Sequence, residues 1–417
     1  MGTGLNRRQI LQGVAGGVAI AGTGALNGGV PPAWAAGKVE GLSPAVPAGL
    51  QEAAILEALP GKKPLIKLSY RPPNYETPIN YFNSVYTPND AFFVRYHLAN
   101  IPAVDASKWR LKVGGEAAAT PFELTLEKLK SDFPAVEISA VCQCSGNRRG
   151  LFAPHVPGVQ WGYGAMGNAK WKGARLKDIL EKAGIAKDAV EIVLDGADGP
   201  VLDKTPDFVK SLPLWKALDE NALVAYEMNG EPLPEANGFP ARIVIPGWTA
   251  TYWLKHITSI EARKTPFDGF WIKTAYRVPL GKFPTVQHFT SQETATNTPI
   301  TEIVVNSMFT NVADGQKVSA AGPVAVQGIA WDGGYGIQSV DVSTDGGKSW
   351  QTATLGEDSG RFSFRPWSFS FTPGKAGPIV LMARASNKIG QSQTAELIAN
   401  PGGYHHNVMH RVSISAA

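Results

Sequence analysis

The alternation of apolar and polar positions divides the chain into short elements. The β-branched run at 136–141 reads as a buried strand. Residues 90–98 form a mostly apolar, strand-like run that carries one arginine and one histidine. Helical spacing predicts a helix over 125–133 behind a Thr125 cap. A second, over 175–183, is stopped by Gly184. Further strands are predicted at 190–194, 223–226 and 243–245, the second running into the turn signal Met228-Asn229-Gly230. Residues 36–75 are rich in proline and read as an extended surface segment. Residues 291–297 read as a polar linker. Beyond it, strands at 324–331, 340–343, 362–371 and 379–385 follow one another with turns between and no helical pattern. That is the signature of an immunoglobulin-type β-sandwich with Trp331, Trp350 and Trp367 in its core.

Composition agrees. At 417 residues with 44% hydrophobic content, the chain is long enough for two or three domains. Only 18% of residues are charged, and 45 Gly with 31 Pro favour a loop-rich, β-containing architecture over a helix bundle. A net charge of +4 is too small to imply a nucleic-acid partner. The N-terminus reads as a signal. Arg7-Arg8 is a twin-arginine pair, a weakly hydrophobic stretch follows, and Ala33-Trp34-Ala35 is an A-x-A cleavage site. Residues 1–35 are therefore expected to direct export of a folded, cofactor-loaded protein to the periplasm. The stretch is too short and too glycine-rich to span a membrane.

Cys142 and Cys144 are the two cysteines. With one residue between them a mutual disulfide would be strained. The absence of C-x-x-C-H excludes a c-type haem of the chain's own. Cys142 is most simply a small buried hydrophobe. Cys144 differs because it ends a predicted strand and opens Cys144-Ser145-Gly146-Asn147-Arg148-Arg149. Neighbouring guanidiniums favour the thiolate, the form that ligates metals. They can also grip an oxyanion through bidentate hydrogen bonds. Taken alone, such a cysteine is more often core than ligand. His405-His406 offers a second metal-like pair but lacks further ligands at suitable spacing, so it reads as a surface loop.

Several separated segments together resemble the sulfite oxidase family of molybdenum enzymes. Phe93-Val94-Arg95-Tyr96-His97 resembles its F-x-R-x-H segment, and 144–149 its C-[SA]-G-N-R-R core. Trp171-Lys172-Gly173-Ala174-Arg175-Leu176 and Asn237-Gly238-Phe239-Pro240-Ala241-Arg242 resemble two further motifs, the latter in the pterin-binding part. Ser343-Thr344-Asp345-Gly346-Gly347-Lys348-Ser349-Trp350 resembles the family's dimerisation domain. Lacking a haem domain, the chain is most similar to bacterial periplasmic sulfite dehydrogenases.

The resemblance implies an α+β fold: a sulfite-oxidase-type molybdopterin-binding domain over 36–292, then an immunoglobulin-like dimerisation domain over 293–417. It implies oxidation of sulfite to sulfate at molybdenum–molybdopterin, with electrons passed to an external c-type cytochrome, by a homodimer. Cys144 would be the metal ligand. Arg95, Arg149 and Trp161 match the sulfite pocket, and Tyr276 the active-site tyrosine. Phe93, Arg95, His97, Cys144, Asp198, Asn237 and Arg242 match cofactor-binding positions. Arg148 is left between supporting the pocket and supporting the cofactor phosphate. Two departures stand out. Asn237 replaces a histidine of many members, which would weaken the phosphate contact. Gly402 stands where the animal enzymes have a third pocket arginine, a role that His405 or His406 could take over. The alternatives are another sulfur-compound dehydrogenase, an oxyanion or sulfoxide reductase on the same fold, or a non-catalytic binding module. The paired arginines with Tyr276 favour sulfite over the other substrates, and Cys144 with the pterin motifs argues against the binding module.

Overall fold

A computed structural model describes residues 55–284 and 287–417; the predicted export signal lies outside them. The fold is mostly sheet. The four α-helices among the described residues are short: Leu126–Ser131, Leu176–Lys182, Leu214–Ala217 and Phe270–Lys273. The first is capped as expected, the Thr125 hydroxyl accepting from the Lys128 amide. The second ends beside Gly184, whose φ of +63° suits glycine. Among the described residues, no helix is long and apolar enough to cross a membrane.

The strand that delivers Cys144 runs from Ala135 to Gln143, antiparallel to Met166–Arg175. Its first residues are exposed or half-buried and its last four are buried, so the chain dives into the core as it approaches the thiol. Leu223–Met228 pairs on the other side of Met166–Arg175 and carries Arg242–Val244 along its edge. A second five-stranded sheet contains Glu191–Gly196, Ile257–Arg263 and Leu111–Gly114. The apolar faces of these sheets and the helices share one large core that includes Trp161, Trp171 and Trp253.

Two early expectations fail. Residues 55–76 are not a loose surface segment. Ile55–Glu57, Leu65–Ser69 and Asn74–Glu76 form a sheet with Val94–Arg95, and Leu65, Tyr75 and Val94 pack together beneath it. The prolines lie between these strands, where they cost no ladder hydrogen bond. The 90–98 run holds only the two-residue strand Val94–Arg95, because the one-turn helix Asn89–Ala91 precedes it.

From Asn306 onward two antiparallel-dominated sheets face each other. One contains Asn306–Phe309, Val324–Trp331 and Arg365–Phe371. The other contains Ile337–Ser343, Gly377–Asn387 and His410–Ala416. Burial alternates along His410–Ala416 and over the first half of Val324–Trp331, as a half-buried strand requires, while the last four residues of Val324–Trp331 are all buried. Trp367 sits in this sandwich core. Trp331 lies instead in a cluster with Ile79, Phe82, Val141 and Met166 that joins the sandwich to the preceding sheets. Trp350 is only half-buried and lies against the Arg384 guanidinium, 4.5 Å from its centroid.

Candidate active site

Cys144 leaves its strand with its amide on the Ala165 carbonyl, 2.9 Å away, and accepts from the Asn147 amide at 2.9 Å. The Asn147 side chain accepts from the Ala165 amide at 3.0 Å, tying both ends of the loop to one segment. That segment is held from behind by Glu76, whose carboxylate accepts the Gly162 and Gly164 amides at 2.7 and 2.8 Å. Burial pushes the Glu76 carboxyl up to about 7, against these hydrogen bonds.

Cys144 faces a cleft that is partly open to solvent. Phe93, Arg95, His97, Asp198, Asn237, Arg242 and Tyr276 line it with the thiol, so eight of the ten expected site residues converge there. Arg95 donates to Asn74 at 3.0 Å. His97 stacks on Phe208 with centroids 3.5 Å apart, and its Nε2 contacts the Tyr276 hydroxyl. Burial and the nearby cations hold His97 well below its ordinary range, so it is neutral. Burial raises the Tyr276 phenol, opposed by Arg95 and Arg149. Arg242 donates to the Asn237 and Trp253 carbonyls, each at 2.9 Å, and lies over Trp171.

The remaining two residues stand beside the cleft. Trp161 is fully buried, edge-on to Phe93 with centroids 6.5 Å apart. Arg149 donates to the carbonyls of Gly402 at 3.0 Å and Val159 at 3.2 Å, and its guanidinium lies over Tyr404. Arg148 turns the other way. It donates to Asn306 and Ser307 in the sandwich and is stacked between Tyr163 and Trp331. Asn237 has both side-chain ends occupied within the protein, by Lys62 and by the Phe93 carbonyl. His405 and His406 are buried rather than on a surface loop, and Gly403 and His405 both adopt positive φ. Burial holds both imidazoles near 3, so neither replaces a pocket arginine with charge.

The cleft suits an anionic, hydrogen-bonding ligand. Arg95, Arg242 and Lys255 face Asp198 as the sole carboxylate in its lining. Ser145 Oγ, Thr251 Oγ1 and Arg242 Nε are buried there without a partner. Among the described residues no group of three His, Cys, Asp or Glu is placed to hold a metal. A soft metal at Cys144 must therefore take most of its ligands from a cofactor. Sequence patterns gave no sign of Lys62, Glu76, Thr251, Lys255 or Tyr404, which act across long separations.

Comparison with known proteins agrees with this geometry. The oxidoreductase molybdopterin binding domain matches residues 97–271, and the Mo-co oxidoreductase dimerisation domain matches 297–417. Mitochondrial sulfite oxidase of Macaca fascicularis is 34% identical over 86% of this chain and 67% of its own length. Sulfite oxidase of Arabidopsis thaliana is 33% identical over 72% of this chain and 79% of its length. The sulfane dehydrogenase SoxCD from Paracoccus pantotrophus shares the fold, with a TM-score of 0.70 at 23% identity, covering 89% of this chain and 92% of that one. The chain spans about two thirds of the animal relatives it matches.

The chain is thus a molybdopterin oxidoreductase with a dimerisation domain of immunoglobulin-like type. It belongs to the sulfite oxidase family, and its cofactor is molybdenum–molybdopterin.

Proposed function

We propose that this protein oxidises sulfite to sulfate. Sulfite and water yield sulfate, two protons and two electrons, and the electrons pass to an external c-type cytochrome. The carrying observation is the meeting of Cys144, Arg95 and Tyr276 in a cleft whose charge is predominantly positive. Residues 1–35 would export the folded protein by the twin-arginine route. The division at 292–293 and assembly as a homodimer belong to the same reading.

Cys144 would hold the metal, while Arg242, Lys255, Asp198, Thr251 and Ser145 would hold the pterin and its phosphate. Molybdenum on its pterin dithiolene supplies the oxygen-transfer and two-electron chemistry that side chains cannot. Arg95 and Arg149 neutralise the entering anion and fix its orientation, each charge-assisted bond contributing about 1.5–3 kcal/mol. The neutral His97 imidazole shares a hydrogen bond with Tyr276, so a proton can be kept at the phenol oxygen. Burial of Phe93, Trp161 and Tyr276 around the thiol limits access of bulk water.

The test is sulfite-dependent reduction of ferricyanide and cytochrome c by protein purified from the periplasm, with molybdenum and sulfate quantified on the same sample. Turnover with about one molybdenum per chain supports the reading. Molybdenum without sulfite turnover moves the substrate to another sulfur compound or oxyanion.

A further inference from the structure

Arg149 is enclosed on several sides by glycine. A Cβ on Gly146 would lie 2.4 Å from its Nη1, one on Gly158 2.9 Å from the same atom, and one on Gly403 2.8 Å from its Cγ. Two of its N–H groups are used by carbonyls, leaving the others free to meet a ligand. Its guanidinium carbon is 5.2 Å from the Tyr404 ring centroid. The Tyr404 ring is itself stacked on Tyr276, with centroids 5.5 Å apart and planes 14° apart. Tyr404 thus touches both an expected substrate arginine and the cleft tyrosine.

The loop that carries Tyr404 is tied by its own hydrogen bonds. The Asn400 side chain accepts from the Tyr404 amide at 3.0 Å and donates to the Tyr404 carbonyl at 2.9 Å. The Gly403 amide donates to the Asn400 carbonyl at 3.1 Å. A guanidinium's donors lie in its own plane. A ring packed against it therefore limits the directions in which the remaining donors can point.

We infer that Tyr404 is a positioning residue for oxyanion binding, aligning Arg149 through its ring. The inference deepens the proposed sulfite reading, because the oxyanion it serves is that reading's substrate.

The test uses molybdenum-loaded full-length protein and the variants Tyr404→Phe, Tyr404→Ala, Arg149→Gln and the Ala/Gln double variant. Sulfate binding is measured by titration calorimetry, and sulfite kinetics in parallel. Tyr404→Ala is expected to weaken sulfate binding at least about tenfold and to raise KM for sulfite more than it lowers kcat. Tyr404→Phe should stay within about threefold of the wild type, since it keeps the stack. The double variant should bind no more weakly than Arg149→Gln alone, as expected for one residue acting through another. Unchanged sulfate binding in Tyr404→Ala, or additive losses in the double variant, would overturn the inference. Tyr404-dependent sulfate binding in a wild type that does not turn over sulfite would refute the substrate reading and leave the inference standing. A wild type that binds no sulfate would refute the inference itself.

Discussion

Arg148 and Arg149 are neighbours in sequence yet serve two different regions. Arg149 is held by two carbonyls and a tyrosine face, which leave it donors for a ligand beside the cleft. Arg148 has no accessible surface and is used up within the seam between the cofactor sheets and the sandwich. The cause is local: Arg148 adopts φ = +67°, a left-handed conformation that turns consecutive side chains apart. That conformation costs about 1–2 kcal/mol for a non-glycine residue and persists because the seam over-determines it. One region keeps donors available for chemistry, and the other commits both terminal nitrogens of its arginine to the seam, with only Nε left unpaired.

Cys144→Ser should have the largest effect, abolishing sulfite turnover, as measured by cytochrome c reduction. Arg149→Gln should raise KM for sulfite about 30-fold, the loss of roughly 2 kcal/mol of charge-assisted contact, with molybdenum content unchanged. Arg148→Ala should do the reverse. Unfolding free energy in denaturant should fall by about 2–4 kcal/mol, from lost packing and from the stranded Asn306 and Ser307 acceptors. KM should move less than about threefold. A KM effect of Arg148→Ala equal to that of Arg149→Gln would erase the comparison.

The smallest effect concerns Glu76 and pH. Burial pushes its carboxyl up to about 7 in the folded protein, from an ordinary value of 4.5. Between those values the folded state binds more protons than the unfolded chain, so this group's contribution to stability falls as pH rises from about 4.5 to about 7. The penalty is absent below that window and complete above it. The stability difference between wild type and Glu76→Gln, followed by thermal melting across this range, should change in that sense. A pH-independent difference would count against the assignment.

What was legible in the sequence was local. Cys144 ends a strand with a clear apolar pattern, and Arg95 and His97 alternate within one short segment, so their convergence could be anticipated. The division of labour between Arg148 and Arg149 could not, because it depends on one backbone dihedral. Gly402 reaches Arg149 across 253 positions, and Glu76 reaches Gly162 across 86, distances at which no periodicity survives. Proline density concealed the strands at 55–76 by the same logic that marked the segment as loop. The buried histidines were misread because spacing reports metal ligation and says nothing of burial.

X-ray absorption at the molybdenum edge, on purified wild type and on the metal retained by Cys144→Ser, tests the central assignment most directly. The account predicts one more sulfur ligand per molybdenum in the wild type than in the variant. Equal sulfur counts would show that Cys144 does not bind the metal.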